Sequence, residues 1–380
     1  MSEYQYYEFQ AVDRPLGEVE RRELRNLSTR ARITATSFVN HYEWGDFKGD
    51  PARLMERYFD LFLYLANWGA RCFSMRLPKQ LVDAGDLERF LVDDDVAAIR
   101  VAGDNLIADF FIDEAEFEEW DDGSGWLAAL APLRSDVLNG DLRVFYLVWL
   151  MAVEIGHVRD SAVEPLPGIA PLSASLGAFA DFFGIDRDLV NAAADDGAAA
   201  RPADPPPVAV ESFVRSSLPE DEKVVLLLSL HEGDDPHLGA KFRRRCRQAI
   251  GFPTPAGSSL RTVAELRASA RRLAEERRRI ASEKATDERR RREEERAKAR
   301  ARRLAALAER EEDVWREVED SISLRNAAGY GKATALLTDL REIAQGNGEK
   351  EEFARRLDAI RSRHGKKGRF LERLADAGLG

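Results

Sequence analysis

From Arg261 to Arg310 the chain is built almost wholly from Arg, Glu, Ala and Lys, without a single Gly or Pro. This stretch holds 18 Lys/Arg against 10 Asp/Glu, a local net charge of +8. It has too few apolar residues to build a core, yet nothing in it breaks a helix. As one helix it would span roughly 75 Å at the standard rise. The run from 259 to 318 therefore predicts a long charged helix acting as an arm or spacer. Leu266, Leu273 and Ile280 are seven apart, as are Leu307 and Val314, but no large apolar residue occurs between Ala281 and Arg303. A continuous coiled coil needs a and d positions sustained over several heptads. The pattern instead predicts a helix held by Glu/Arg pairs at i, i+4, with coiled-coil contacts at its ends and the long helix as a candidate for oligomerisation.

The rest of the 380 residues divide around this arm. Residues 1–200 carry 18 Lys/Arg against 36 Asp/Glu, and residues 201–380 carry 39 against 32. A net of -18 followed by +7 sets an acidic half, which repels nucleic acid and membranes, beside a basic one. Two cysteines, Cys72 and Cys246, make neither a disulfide framework nor a Cys-rich zinc site. The opening MSEYQYYEF has no leader pattern, and the most apolar run, Val144 to Val153, is about half the length of a bilayer span. The expectation is a cytoplasmic protein with no membrane contact.

Hydrophobic periodicity predicts an α+β chain. Strands are expected at 4–12, 33–44, 71–77, 96–101 and 106–112, the last two joined by a hairpin over Ala102-Gly103-Asp104-Asn105. Helices are expected at 16–29, 52–67 and 79–91, the second opened by an Asp50 cap and Pro51. The order β-α-β-α-β-α-β-β points to a sheet with helices packed on it. Further helices are expected over 126–138, 142–155 and 178–194. The organisation read from these signals is an acidic domain over 1–194 and an Ala/Pro/Asp linker over 195–209. A small helical module follows over 210–252, in which Val224 to Leu230 reads as a buried run. After the arm, 319–380 forms TPR-like helical hairpins.

No catalytic motif emerges. Gly329-Tyr-Gly331-Lys332 lacks the first glycine, the Ser/Thr and the strand of a phosphate loop, and reads as a helix-helix turn. His231, Glu232, Asp234, Asp235 and His237 have the wrong spacing for a helical zinc pair and read as a loop between helices. No metal or cofactor is expected. Two aromatic loops are candidate interaction surfaces: Trp44, Asp46 and Lys48, and the pair Trp120 and Trp126. The favoured reading of each is a turn whose aromatics cover the sheet edge or anchor the loop to the core. Arg289, Arg290, Arg291 and Arg292 are candidate phosphate contacts, although the arm has no aromatics to stack on bases.

The segments LPEDEKVVLLLSLHEGDDPHL, RTVAELRASARRLAEERRR and VWREVEDSI, with the helices that follow, resemble the C-terminal helical regions of a bacterial family and the tails of some SWIM zinc-finger proteins. The three Cys and one His of the SWIM motif are absent, and the resemblance implies no activity. These features together predict a cytoplasmic adaptor or scaffold for a protein partner. The alternatives are a nucleic-acid-associated protein using the basic helix, or a ligand-binding or enzymatic N-terminal domain.

Overall fold

A computed structural model of the chain describes residues 3–92, 94–113, 115, 117, 120–195, 205–251 and 260–380. It separates into two compact units, 1–276 and 277–380.

Unit 1 is built on seven strands: β1 (Gln5–Gln10), β2 (Arg32–Ile33), β3 (Ser37–Tyr42), β4 (Leu61–Ala66), β5 (Arg71–Pro78), β6 (Ala97–Ala102) and β7 (Asn105–Ile112). Their order in the sheet is β2-β3-β1-β4-β5-β7-β6, and every neighbouring pair is antiparallel. Period-two alternation divides the side chains between two faces. Tyr7, Phe9, Phe38, Phe62 and Ile107 meet helices α1 (Glu18–Leu27) and α2 (Pro51–Arg57) through Leu24, Leu54 and Met55. Leu61, Leu63, Phe73, Met75, Leu77 and Phe110 face the opposite cluster. That cluster is completed by α4 (Trp126–Leu130), α5 (Pro132–Leu138), α6 (Arg143–Glu154), α7 (Ala174–Phe183) and α8 (Arg187–Ala194). Short α3 (Ala84–Glu88) lies between β5 and β6 in the chain. Helix α6 is apolar all round and buried from Arg143 to Val153, as such a helix must be.

The chain is α+β, as its periodicity predicts, but the element order is β-α-β-β-α-β-β-α-β-β. Two differences account for it. The strand expected at 33–44 is two strands, β2 and β3, joined by a tight turn. The helix expected at 52–67 ends at Arg57, and Leu61–Ala66 is the central strand β4 between β1 and β5. A strand covered on both faces loses its polar alternation, so LFLYLA continues the apolar pattern of the helix before it. The helix does begin as expected, with Asp50 Oδ1 accepting from the amides of Ala52 and Arg53.

A buried charge network sits where β4 begins. Asp60 Oδ2 accepts the amides of Val12 at 2.7 Å and Asp13 at 2.9 Å, while its Oδ1 accepts Arg76 at 2.6 Å. Arg134 of α5 donates to both carboxylate oxygens of Asp13, at 2.8 and 2.6 Å. Asp13 Oδ2 also lies 3.0 Å from His237 Nε2. His237 precedes α11 (Leu238–Ile250), which with α9 (Pro207–Ser216) and α10 (Glu220–Glu232) forms a three-helix module inside unit 1. A second clasp holds the start of α12 (Val263–Ala308). Buried Glu164 accepts Tyr146 at 2.5 Å and the Arg261 amide and guanidinium at 2.8–3.0 Å. Arg261 also donates to the Ala192 carbonyl at the end of α8.

The helix expected over 259–318 is two helices: α12 has 46 residues and stops at Ala308, and α13 (Glu311–Ser323) starts anew. Glu311, Glu312 and Asp313 fill the first turn of α13, where the helix dipole favours negative charge. Of the heptad-spaced residues, Leu266, Leu307 and Val314 are occupied within their own units, whereas Ile280 is 40% exposed. Val263 and Leu266 lie in the unit 1 core, while Leu307 and Val314 lie in that of unit 2. Unit 2 gathers α13, α15 (Lys350–Arg363) and α16 (Gly368–Asp376) around α14 (Ala327–Asn347). Gly329-Tyr-Gly331-Lys332 is not the helix-helix turn expected but lies within the first two turns of α14, which Asn326 caps. A Cβ at Gly329 would lie 2.4 Å from the Ser321 carbonyl, so only glycine permits this approach of α13 and α14. Asp339 of α14 is buried and paired with Arg300 at 2.6 Å and Arg303 at 2.7 Å.

Two stability predictions follow from the paired carboxylates. Burial alone would raise the Asp13 carboxyl, but His237 and Arg134 together hold it well below the usual range. A depressed carboxylate contributes stability above its unfolded pKa, about 3.9, and loses it as pH falls. Thermal midpoints should therefore drop more steeply between about pH 5 and pH 3 in the wild type than in Asp13→Asn. Equal slopes would exclude this contribution. In unit 2, Asp339→Ala removes the buried partner of Arg300 and Arg303, of which Arg300 keeps Glu342 at 2.7 Å, and urea unfolding should register a loss of about 1 to 3 kcal/mol. A loss under about 1 kcal/mol would mean solvent screens the pair.

Candidate functional site

The two aromatic loops behave differently. Trp44 is 77% exposed and Lys48 is also exposed, while Asp46 accepts from Gln5 Nε2 at 3.0 Å. Buried Phe47 pins this loop to the Tyr7–Phe9 face of the sheet. Trp120 and Trp126 are brought together at the rim of a cavity of about 1050 Å³ that also touches Arg71, Asp122 and Asp181. Trp126 is half-buried, packs on Phe182 and donates to Asp121 at 2.7 Å. Trp120 is 67% exposed and meets Tyr4 edge-on. Behind them, Arg71 lies 3.4 Å from the Phe117 ring and donates to the Phe182 carbonyl at 2.5 Å. Burial lowers its pKa, opposed by Asp121. A cation packed between aromatic rings and tied to a carbonyl anchors the loop to the core.

The phosphate candidates lie mid-way along α12, all exposed. Arg289 pairs with Glu293 at 2.9 Å, Arg290 with Asp287 at 3.2 Å and Arg292 with Glu288 at 3.8 Å. These are the one-turn pairs expected of a solvated helix, each worth only a few tenths of a kcal/mol. The histidine-acid cluster is dispersed. His237 turns to Asp13, and Asp235 accepts Lys241 at 2.8 Å and the His237 amide at 2.9 Å. Among the described residues no group of three or more His, Cys, Asp or Glu could hold a metal ion. Nor is any helix among them long and apolar enough to cross a membrane.

The feature that sequence reading missed is α10. Its Val224–Leu230 run, expected to be buried, is open to solvent. Val224, Val225, Leu227, Leu228 and Leu230 are 53–69% exposed, and none of the helix is buried. At 100° per residue these side chains point in every direction around the axis. A helix apolar all round is normally enclosed on all sides, as α6 is. Here Leu226 is half-buried toward the module, and the five exposed residues leave an uncovered apolar surface on one short helix.

Beside α10 runs an apolar groove of about 590 Å³, lined by Val214, Leu218, Leu226, Leu230, Leu238 and Phe242. Three local signals fix its shape. Glu220, Asp221 and Glu222 occupy the first turn of α10, where the dipole favours them, and Gly233 ends the helix at φ +72°. His237 fastens α11 to Asp13, while Arg243 and Arg244 donate to Asn139 and to the Gln80 carbonyl. The module is thus secured to the sheet domain through α11, and α10 is left outward. Of the linker expected over 195–209, residues 196–204 lie outside the described residues and α9 already begins at Pro207.

Comparison with protein-family models, with curated proteins and with solved structures finds no match to the chain.

Proposed function

We propose that the chain is a non-enzymatic, cytoplasmic interaction protein, an adaptor or scaffold that docks protein through the α9–α11 module. The observation that carries this reading is α10, whose five exposed Val and Leu side chains have no partner side chain in the module to cover them. Transfer of that surface from water is favourable by about 25 cal/mol per Å² before the costs of association. The two cysteines suit a reducing compartment: both are free, and burial pushes the Cys72 thiol up to about 12, which leaves it inert. The α12 arm, in which Arg279, Arg289, Arg290 and Arg292 pair with acids one turn away, would act as a spacer.

Affinity capture of the tagged chain from its host tests this. A defined protein should co-purify after nuclease treatment and should be lost from a Val225→Lys/Leu228→Lys variant whose circular dichroism matches the wild type. The same proteins on both baits would remove α10 from the function.

One observation favours a second reading, nucleic-acid association: α12 carries 16 Lys/Arg against 9 Asp/Glu, a net of +7. On that reading duplex binding is detectable at about 50 mM salt and falls steeply by about 200 mM. Replacing Arg289 to Arg292 by Gln lowers the salt slope by up to about four. Anisotropy that stays flat at the lower salt excludes it.

A further inference from the structure

We infer that the cleft beside Trp120 and Trp126 binds a basic α-amino acid, with its carboxylate on Arg71 and its two cationic groups at Asp122 and Asp181. The site belongs to the sheet domain and does not depend on the docking reading.

A donor without an acceptor points to a ligand. Arg71 is 5% exposed, and its Nε is buried with no hydrogen-bond partner. Its Nη1 donates to the Phe182 carbonyl and its Nη2 to Asp121 at 3.3 Å. Arg134 and Arg143 are buried as deeply, and each uses all three of its nitrogens. No other buried arginine nitrogen among the described residues lacks a partner. Leaving a charged donor unpaired away from water is costly, so the exception calls for an acceptor that the chain does not supply.

Room for that acceptor adjoins the guanidinium. Arg71, Phe117, Trp120 and Asp121 line both the cleft of about 1050 Å³ and a second cavity of about 260 Å³, which reaches Asn67 and Gly69 in the β4–β5 turn. Arg71 thus stands at the wall between two spaces, the larger of which admits a small organic molecule.

Charge selects the class of ligand. Among the described residues of the cleft, Asp121, Asp122 and Asp181 stand against Arg71 alone, a net of -2. The sequence from Asp113 to Asp122 adds to this field, with seven acids and no base. A simple anion brought to Arg71 is repelled by that field, and a simple cation leaves Nε without an acceptor. A molecule with one carboxylate and two cations meets both demands, the carboxylate through a charge-assisted hydrogen bond from Nε. Asp121 is committed to Arg71, Trp126 and the Gly123 amide. Asp122 binds Ser124 through one oxygen only, and the exposed Asp181 carboxylate has no partner among the described residues. The rings of Trp120 and Trp126 offer apolar and π surface to the stem and head of the side chain. Such a ligand joins β5 through Arg71, the 120–126 loop and α7 through Asp181, so binding also stabilises the fold.

Isothermal titration calorimetry of the full chain with L-arginine and L-lysine, each up to about 10 mM, tests this. Each should saturate a single site with a Kd below about 1 mM and raise the thermal midpoint. Agmatine, which is arginine without its carboxylate, should bind at least about tenfold more weakly. Asp181→Asn changes an exposed side chain and should weaken L-arginine about three- to fivefold at an unchanged ligand-free midpoint. Arg71→Lys keeps the charge without the Nε donor and should abolish binding; because Arg71 also anchors the loop, Asp181→Asn decides the matter if that variant fails to fold. The inference is overturned by the absence of saturable binding at about 10 mM, by agmatine binding as well as arginine, or by affinity that Asp181→Asn leaves unchanged.

Discussion

The arrangement of unit 1 depends on the ionic cluster around Asp60 and Asp13. Four segments distant in sequence meet there: the end of β1, the start of β4, β5 through Arg76 and α5 through Arg134. Removing these charges from water is costly, and the attraction between them offsets that cost only when geometry and hydrogen bonding are nearly complete. Asp60 meets the condition with two amides and an arginine fork, and Arg134 with a bidentate pair and the Arg76 carbonyl. A misregistered β4 would strand Asp60 without donors. The cluster therefore selects one register for a strand whose apolar residues alone, buried on both faces, would specify it weakly. It also extends to His237, so the element that fixes the sheet fixes the module as well.

That link decides what α10 can do. The module has little core of its own, with Leu218, Ala240 and Cys246 among its few buried side chains. Three helices so thinly packed hold their places because α11 is tied to the sheet domain at three points, through His237, Arg243 and Arg244. Helix α10 then remains on the outside, presenting Val and Leu on a supported frame. A preorganised apolar surface loses less entropy on docking than a segment that folds as it binds.

Much of the fold was legible in the sequence and the exposure of α10 was not. The β6–β7 hairpin followed from Gly103 between alternating strands, and the start of α2 from Asp50-Pro51. Local chemistry determines such features. Val224 to Leu230 has no polar stripe, so periodicity could report a helix but not which side faces the protein. Six apolar residues in seven normally mean burial, as in Val144 to Val153, and the two runs read alike until the structure separates them. The one available signal was the acid-rich ends, Glu220 to Glu222 and Glu232 to Asp235, since a fully enclosed helix seldom carries so many charges at both termini. The failure at 52–67 has the same origin: apolar content without alternation distinguishes neither helix from strand nor core from interface.

The charged arm illustrates the opposite case. Its composition announces it at once, yet many of the side chains it offers are already engaged. Leu266 and Leu307 lie in the cores of their own units, and Arg279, Arg289, Arg290 and Arg292 pair with acids one turn away. A surface of paired, solvated charges gains little free energy from contact, because each pair must be broken or desolvated before a partner can use it. The exposed apolar helix faces no such cost. Burial of the uncovered Val and Leu side chains of α10 releases free energy without that cost, which is the physical difference between the two helices.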